Sequence, residues 1–539
     1  MIPEEYVEAP VSLSLTPYAG PWTQAHAAHL LRRTLFGPKL AQINAAVTNG
    51  MDATVAQLLV APAFAQPLTH DTNDSIVSQG STWIGAVCPT NPIDIDTTET
   101  SRRQSLIGWQ FERLNMEGVS IYEKMCLFWQ NHFAAESTFD SRATYNYLHL
   151  IRTHALGNFR QFVKDITIDP CMLIFLNGAQ NNQFSPNENY ARELLELYTI
   201  GKGPQIGEGD YTNYTEQDVM QGAKILTGWN VEGFLSNTET TTSSVFVPIL
   251  HDTSSKTLSA HFGNAVINDA GASEYANYID IIFQQPETAK FICRKIYRWF
   301  VNYDLTSEVE TTVIADLADI LTANNYEILP VIETLLKSEH FYDSSVRGAI
   351  IKNPLEYMFS MLNTTSTQPA FDLNINYRMY LSLYWASASL GMAYLQPPSV
   401  GGWPAYYQAP NYTKLWINSS YVKLRFDFAS YIALWGGINV DGNRLPINHL
   451  GFLDSLSLPS DAPQVIEDMV TVFCPKGLTS TQKLLLKAVL TNGLPDFEWT
   501  LQYNEYLANP GNTTYSDPVK QRIGLTIDQI FKMPEFQTI

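Results

Sequence analysis

Apolar residues recur at helical spacing along most of the chain, in segments separated by Gly, Pro and capping residues. The spacing predicts a first helix over 25–36, entered after Gly20-Pro21 and stopped by Gly37-Pro38. A second is predicted over 40–59. Residues 62–100, rich in Pro, Thr, Asn and Asp, read as a long surface loop. The helical period then returns over 102–183. Ser120 and Glu123 have the spacing of a capping box that opens a helix running to about 134, and further helices are predicted at 143–155 and 159–166. Ser185-Pro186-Asn187-Glu188 reads as a second box with Pro at the first helical position. It opens a helix over 187–200 that Gly201 ends, and Thr215 is the predicted N-cap of a helix over 216–227.

The period fails over 231–271. Thr, Ser and Val dominate there, Gly and His punctuate, and the stretch reads as a β-rich excursion of short strands. Helices are predicted again at 287–301, 307–324, 327–337, 354–362 and 377–393, with three or four more in the last hundred residues. Residues 396–404, Gln-Pro-Pro-Ser-Val-Gly-Gly-Trp-Pro, cannot be helical. A single core tends to split beyond roughly 250–300 residues. The expected architecture of this 539-residue chain is therefore mainly α, a large two-lobed helical globular fold with a small β-rich excursion. Its parts are an N-terminal extension at 1–19, a helical lobe at 20–230, the excursion at 231–271 and a second helical lobe at 272–539.

Composition acts by exclusion. A net charge of 33 − 53 = −20 repels phosphate backbones and anionic lipid, so no nucleic-acid partner is expected. No run reaches the roughly 18 apolar residues of a transmembrane segment. The opening MIPEEYVEAP has neither a basic stretch nor an apolar one, so no signal peptide is visible and location stays open. The five cysteines (Cys88, Cys126, Cys171, Cys293 and Cys474) are odd in number, scattered and without a CxxC pair. That argues against a zinc-thiolate site, a redox motif and a disulfide framework. The 11 Trp, 28 Tyr and 26 Phe supply core, and would also suit a cleft that stacks on flat or sugar-like ligands. There is no H-E-x-x-H, G-x-S-x-G, P-loop or dinucleotide fingerprint, and no paired E-x-x-H of a di-iron bundle.

Several segments, taken in order, carry a resemblance. They are His29-Leu30-Leu31-Arg32-Arg33 with Phe36-Gly37, Trp129-Gln130-Asn131-His132-Phe133, and Asn187-Glu188-Asn189-Tyr190-Ala191-Arg192-Glu193-Leu194. Tyr214-Thr215-Glu216-Gln217-Asp218-Val219, Leu226-Thr227-Gly228-Trp229 and His251-Asp252 with Lys256 follow. The stretch 291–300, Lys352-Asn353-Pro354 and Gly402-Trp403-Pro404 complete the set. Together they resemble the bacterial family catalogued as domain of unknown function 1800, across roughly 18–537. The resemblance implies little chemistry. Family members are often encoded beside a companion family similar to the alkaline phosphatase and sulfatase superfamily, and many are exported. It thus implies a partner of that kind, in an envelope or polysaccharide-processing system.

Four constellations are candidates for chemistry. On the 187–200 helix, Glu188, Asn189, Arg192, Glu193 and Glu196 share one arc. That arc is either a solvated face of i,i+4 ion pairs or the wall of a cleft. His132 lies on the face of Met125, Phe128 and Trp129, as a satisfied core histidine or as a base or ligand. His251-Asp252 with Lys256 falls in the excursion, as a self-capped turn or a loop site. His26 and His29 form an H-x-x-H without a neighbouring Glu, which fits capping better than metal binding.

Two readings follow. In the first, the protein is an enzyme: His132, Glu193, His251 and Asp252 converge on a cleft between the lobes. His132, Glu193 and His251 would be ligands of a divalent metal such as zinc, manganese or iron. Asn131, Asn189, Arg192, Lys256, Trp229 and Trp403 are the ligand-binding candidates. In the second, the protein is a non-catalytic binding or scaffolding partner, and the same polar residues hold helices in register.

Overall fold

The computed structural model describes residues 11–539, so most of the expected extension at 1–19 lies outside the described residues. The architecture is mainly α, with short two-stranded antiparallel hairpins. One continuous apolar core runs through it, from Ala27 on the first helix to Phe536 near the C-terminus. The helix Pro92–Met116 is central and packs against Leu373–Ser389 and Pro354–Thr364. Asn363 fastens that junction, donating to the carbonyls of Phe36 at 3.2 Å and Leu114 at 2.9 Å and accepting from Asn115 at 2.7 Å. Gly37 follows Phe36 at φ +123°, and a Cβ there would come within 2.7 Å of the Ser360 backbone. Only glycine lets the first helix end this close to its neighbour. No helix among the described residues is long and apolar enough to cross a membrane.

Most predicted helices form within two or three residues of their expected ends. The first spans Gln24–Thr34, and Thr215 caps Glu216–Ile225 as expected. Several boundaries differ for identifiable reasons. The stretch 40–59 is two helices, Leu40–Asn49 and Met51–Leu58, broken where Gly50 takes φ +83°. The loop expected to 100 stops at Asn91, whose side chain caps the helix beginning at Pro92. Nor is that loop all surface, because Asp74 is buried on Arg102 at 2.7 Å. Ser120 and Glu123 make no box: the helix starts at Tyr122, and the Glu123 carboxylate is buried on Arg152 at 2.6 Å and Gln110 at 2.8 Å.

The box at Ser185 also fails. The helix begins at Glu188, and Asn187 is the cap, accepting from the Asn189 amide at 3.0 Å. Asn187→Ala is therefore expected to cost about 1 kcal/mol in thermal unfolding. Ser185→Ala should stay within about 0.5 kcal/mol, as for an ordinary surface position.

The excursion is β-rich as read. Trp229–Glu232 pairs with Ser243–Phe246, setting Trp229 opposite Phe246, and Lys256–Thr257 pairs with Val266–Ile267. Two further hairpins lie elsewhere: Gln205–Gly207 with Asp210–Tyr211, and Ile438–Val440 with Asn443–Leu445. Strands of two or three residues are too short to show alternation in sequence. After residue 440 the helices His449–Asp454, Ala462–Phe473, Ser480–Thr491, Asp496–Ala508 and Thr513–Lys532 follow, more than the three or four expected. All five cysteines are buried free thiols.

Candidate functional site

The excursion brings His251, Asp252 and Lys256 together. Gly228 turns the chain at φ +91°, and a Cβ there would press on His251 and Phe246 at 3.0 Å. The His251 ring is therefore seated directly over Thr227. Its Nδ1 lies 2.9 Å from the Thr227 carbonyl and 3.2 Å from Thr227 Oγ1. Oγ1 gives its proton to the Lys224 carbonyl at 2.6 Å and accepts the Asp252 amide at 2.8 Å. Both atoms facing Nδ1 are thus acceptors, and Nδ1 must carry the N–H.

The other ring nitrogen, Nε2, lies 3.1 Å from Glu274 Oε2 and 3.9 Å from Asp269 Oδ1. Glu274 opens the helix Glu274–Ile282 and is fully buried. Its second oxygen pairs with the Lys256 ammonium at 2.6 Å. Lys256 also donates to the Asp252 carbonyl oxygen. Burial pushes the Asp252 carboxyl up, but hydrogen bonds from Ser254 and the nearby Lys256 charge outweigh it and leave the group below its ordinary range. Trp229 packs edge-on against Phe246 and Tyr275 beside this cluster. Asp269 remains 47% exposed, so the cluster meets solvent on that side.

His132 sits in a different environment. It ends the helix Tyr122–His132 among Phe128, Trp129, Phe133 and Phe159. Burial, then the Lys295 charge, hold its imidazole well below the ordinary value, so the ring is neutral. Nε2 donates to the Tyr198 carbonyl at 3.1 Å, and Nδ1 accepts from the Lys295 ammonium at 3.0 Å. Lys295 also donates to the Leu197 carbonyl at 2.9 Å. These carbonyls belong to Leu194–Thr199, a π-helical turn that continues the Glu188–Glu193 helix. The last carbonyls of a helix have no partner within it. His132 and Lys295 therefore cap that helix from outside, and burial followed by the Arg298 charge brings the lysine down to about 7.

Glu193 is half-buried beside Glu196, and burial, then that neighbouring charge, raise its carboxyl to about 6. Glu196 accepts from the Tyr214 hydroxyl at 2.9 Å. Arg192 grips Glu216 through two bonds of 2.8 and 2.7 Å and reaches Glu188 at 3.3 Å. Asn189 donates to the Leu176 carbonyl at 3.2 Å. Asn131 and Trp403 meet each other, the Trp403 amide donating to Asn131 Oδ1 at 3.0 Å. Gly402 makes room for that bond, since a Cβ there would stand 2.4 Å from the same oxygen. His26 caps its own helix, accepting from the Thr23 amide at 3.3 Å, while His29 faces the Phe341 carbonyl at 3.0 Å.

Among the described residues, His132, Glu193 and His251 do not bring their ligand atoms within 4.8 Å of one another. His251, Asp269 and Glu274 do. Cys88, Glu99 and Asp140 also come that close, but Glu99 is paired with Arg102 at 3.2 Å and Asp140 with Arg142 at 2.7 Å. Sequence reasoning missed Asp269, Glu274 and Lys295. Asp269 lay inside the excursion as one polar loop residue among many. Glu274 stood three positions past the excursion's predicted end. The signal that could have found Glu274 is a helix-opening carboxylate placed just after a hairpin that carries His and Lys.

Fold and cluster together define a mainly α protein that carries a buried His–Glu–Lys network in a hairpin excursion. The chain belongs to the family described as protein of unknown function (DUF1800), whose model matches residues 29–538. The resemblance carried by the ordered motifs is thereby borne out. No curated protein and no solved structure matches the chain.

Proposed function

We propose that the protein is a metal-dependent enzyme whose divalent cation is held by His251, Asp269 and Glu274. One observation carries the reading. Nδ1 of His251 must be the donor, so in the neutral ring the Nε2 lone pair faces a carboxylate oxygen 3.1 Å away. Two acceptors at that distance need a cation between them, either a proton or a metal. The orientation supports a metal, because a ligating imidazole commonly donates its other N–H to a backbone carbonyl. Charge supports it too. Asp252, Asp269 and Glu274 against Lys256 leave two net negative charges, and imidazole with carboxylates suits zinc, manganese or iron. On the solvent side, at Asp269, such a cation would activate water or hold an anionic group.

Titration calorimetry and elemental analysis with zinc and manganese test this. One cation per chain is expected, and His251→Ala or Asp269→Asn should weaken binding at least about tenfold, since bonds of about 2.0–2.2 Å are lost. Absence of binding, with a His251 ring shown by nitrogen chemical shifts to be doubly protonated, would mean a proton fills the gap and would sink the reading.

A second reading, a scaffold for a companion similar to the alkaline phosphatase and sulfatase superfamily, is favoured by the internal use of Asn131, Asn189, Arg192 and Trp403. Under it, variants of the His251 cluster should lose stability but no ligand.

A further inference from the structure

The excursion is not the only place where polar groups lack partners. Loop residues 70–73, the helices Pro92–Met116 and Leu373–Ser389, and the hairpin Ile438–Val440 with Asn443–Leu445 enclose an open cleft of about 670 Å³. That is within the usual range of roughly 300–1,000 Å³ for small-molecule sites. Trp385 stands on its wall and is 65% exposed. A tryptophan buries about 150–250 Å² when it packs, so leaving one in water forgoes a large gain.

The cleft also holds unmet hydrogen-bonding capacity. His70 lines it while only 1% exposed, and its Nδ1 has no partner. Asn374 Oδ1 is likewise buried and unpartnered. Buried polar atoms are nearly always satisfied, so both residues carry bonding capacity that the protein's own side chains do not use. Gln104 adds a further amide to the lining.

The charges in the cleft are already committed. Arg378 grips Asp441 with two guanidinium nitrogens. Asp71 accepts from Ser101 at 2.6 Å and from the Asn73 amide at 3.0 Å. No lining cation is free to recognise an anion, and a chain of net charge −20 repels one at long range. An aromatic platform beside neutral donors and acceptors suits a ligand with an apolar ring face and a polar hydroxyl rim.

We infer that this cleft binds a neutral saccharide, with one hexose ring stacked on Trp385 and its hydroxyls bonded to the side-chain amides of Gln104 and Asn374. The inference is independent of the cation at His251.

The test titrates the full chain with a panel of neutral gluco- and manno-oligosaccharides, α- and β-linked, followed by tryptophan fluorescence and calorimetry. At least one member should bind saturably. Trp385→Ala should weaken it at least about tenfold, the scale of one lost stacking contact of about 1.4 kcal/mol. Asn374→Ala should weaken it several-fold. Trp435→Ala serves as the control, because Trp435 is 60% exposed but does not line the cleft, and it should bind as the parent does. Three results would each overturn the inference: no saturable binding of any neutral member up to about 10 mM, a ligand free energy too small to order one ring; binding that Trp385→Ala leaves unchanged; or binding confined to sulfated or uronic-acid oligosaccharides.

Discussion

Glu274→Ala should lower the stability of this protein by about 3–5 kcal/mol, the cost of removing one partner from a buried ion pair. Glu274 and Lys256 are both fully buried, and the ammonium lies 2.6 Å from the carboxylate. Without Glu274, Lys256 keeps the Asp252 backbone oxygen and a carboxylate oxygen 3.9 Å away, and His251 loses its closest anion. Thermal or urea unfolding, followed by circular dichroism, measures the loss. Glu274→Gln keeps the shape and should recover only part of it, because the ammonium is left with only the more distant Asp252 carboxylate at 3.9 Å. The double variant Lys256→Met with Glu274→Gln should be less damaged than Glu274→Gln alone, since no unpaired charge remains. If Glu274→Ala unfolds as the parent does, the pair is not holding the excursion to the helix behind it. Asp269→Asn, at an exposed position, should leave unfolding in the absence of metal within about 0.5 kcal/mol.

The second large effect is expected at His132. His132→Ala should cost about 2–4 kcal/mol, combining an aromatic-lined cavity with an unsatisfied helix carbonyl. Its cation content should equal that of the parent, because the ring nitrogens are spent on Tyr198 and Lys295. Loss of bound metal without loss of stability would restore His132 as a ligand. Its neighbour gives a second readout through pH. Lys295 falls from its ordinary 10.5 to about 7 in the folded chain. Between those values the unfolded chain binds the extra proton, so this lysine makes stability rise with pH from about 7 to 10.5. In Lys295→Met that rise should disappear.

Much of the helical scaffold was legible because its signals are local. Thr215 with Asp218 forms its box three residues apart, and Gly37 ends the first helix as its neighbours imply. The failed boxes at Ser120 and Ser185 have the right spacing. Other partners overrode them: Glu123 went to Arg152 and Gln110, and Asn187, two positions closer to the helix, took the cap from Ser185. The candidate site was legible only in part for a related reason. His251, Asp252 and Lys256 lie within six positions, so their proximity could be read. Glu274 joins them through chain folding across the Lys256–Thr257 and Val266–Ile267 hairpin. Lys295 reaches His132 across 163 positions, a separation that no periodicity encodes.

The five buried thiols also make the chain a recorder of its own opening. Burial raises the thiol of every one, Cys88 and Cys474 to about 12, so little thiolate exists at neutral pH even where solvent reaches. A thiol-specific reagent reacts with thiolate. It therefore samples molecules in which a given region has come apart, and its rate at each cysteine reports how often that happens. Cys88 reads the loop ahead of the central helix, Cys126 the helix that ends at His132, Cys171 the short helix Pro170–Phe175, Cys293 the helix that carries Lys295, and Cys474 the C-terminal helices. Five clocks set at different places along one polypeptide can tell whether it opens in a single step or region by region.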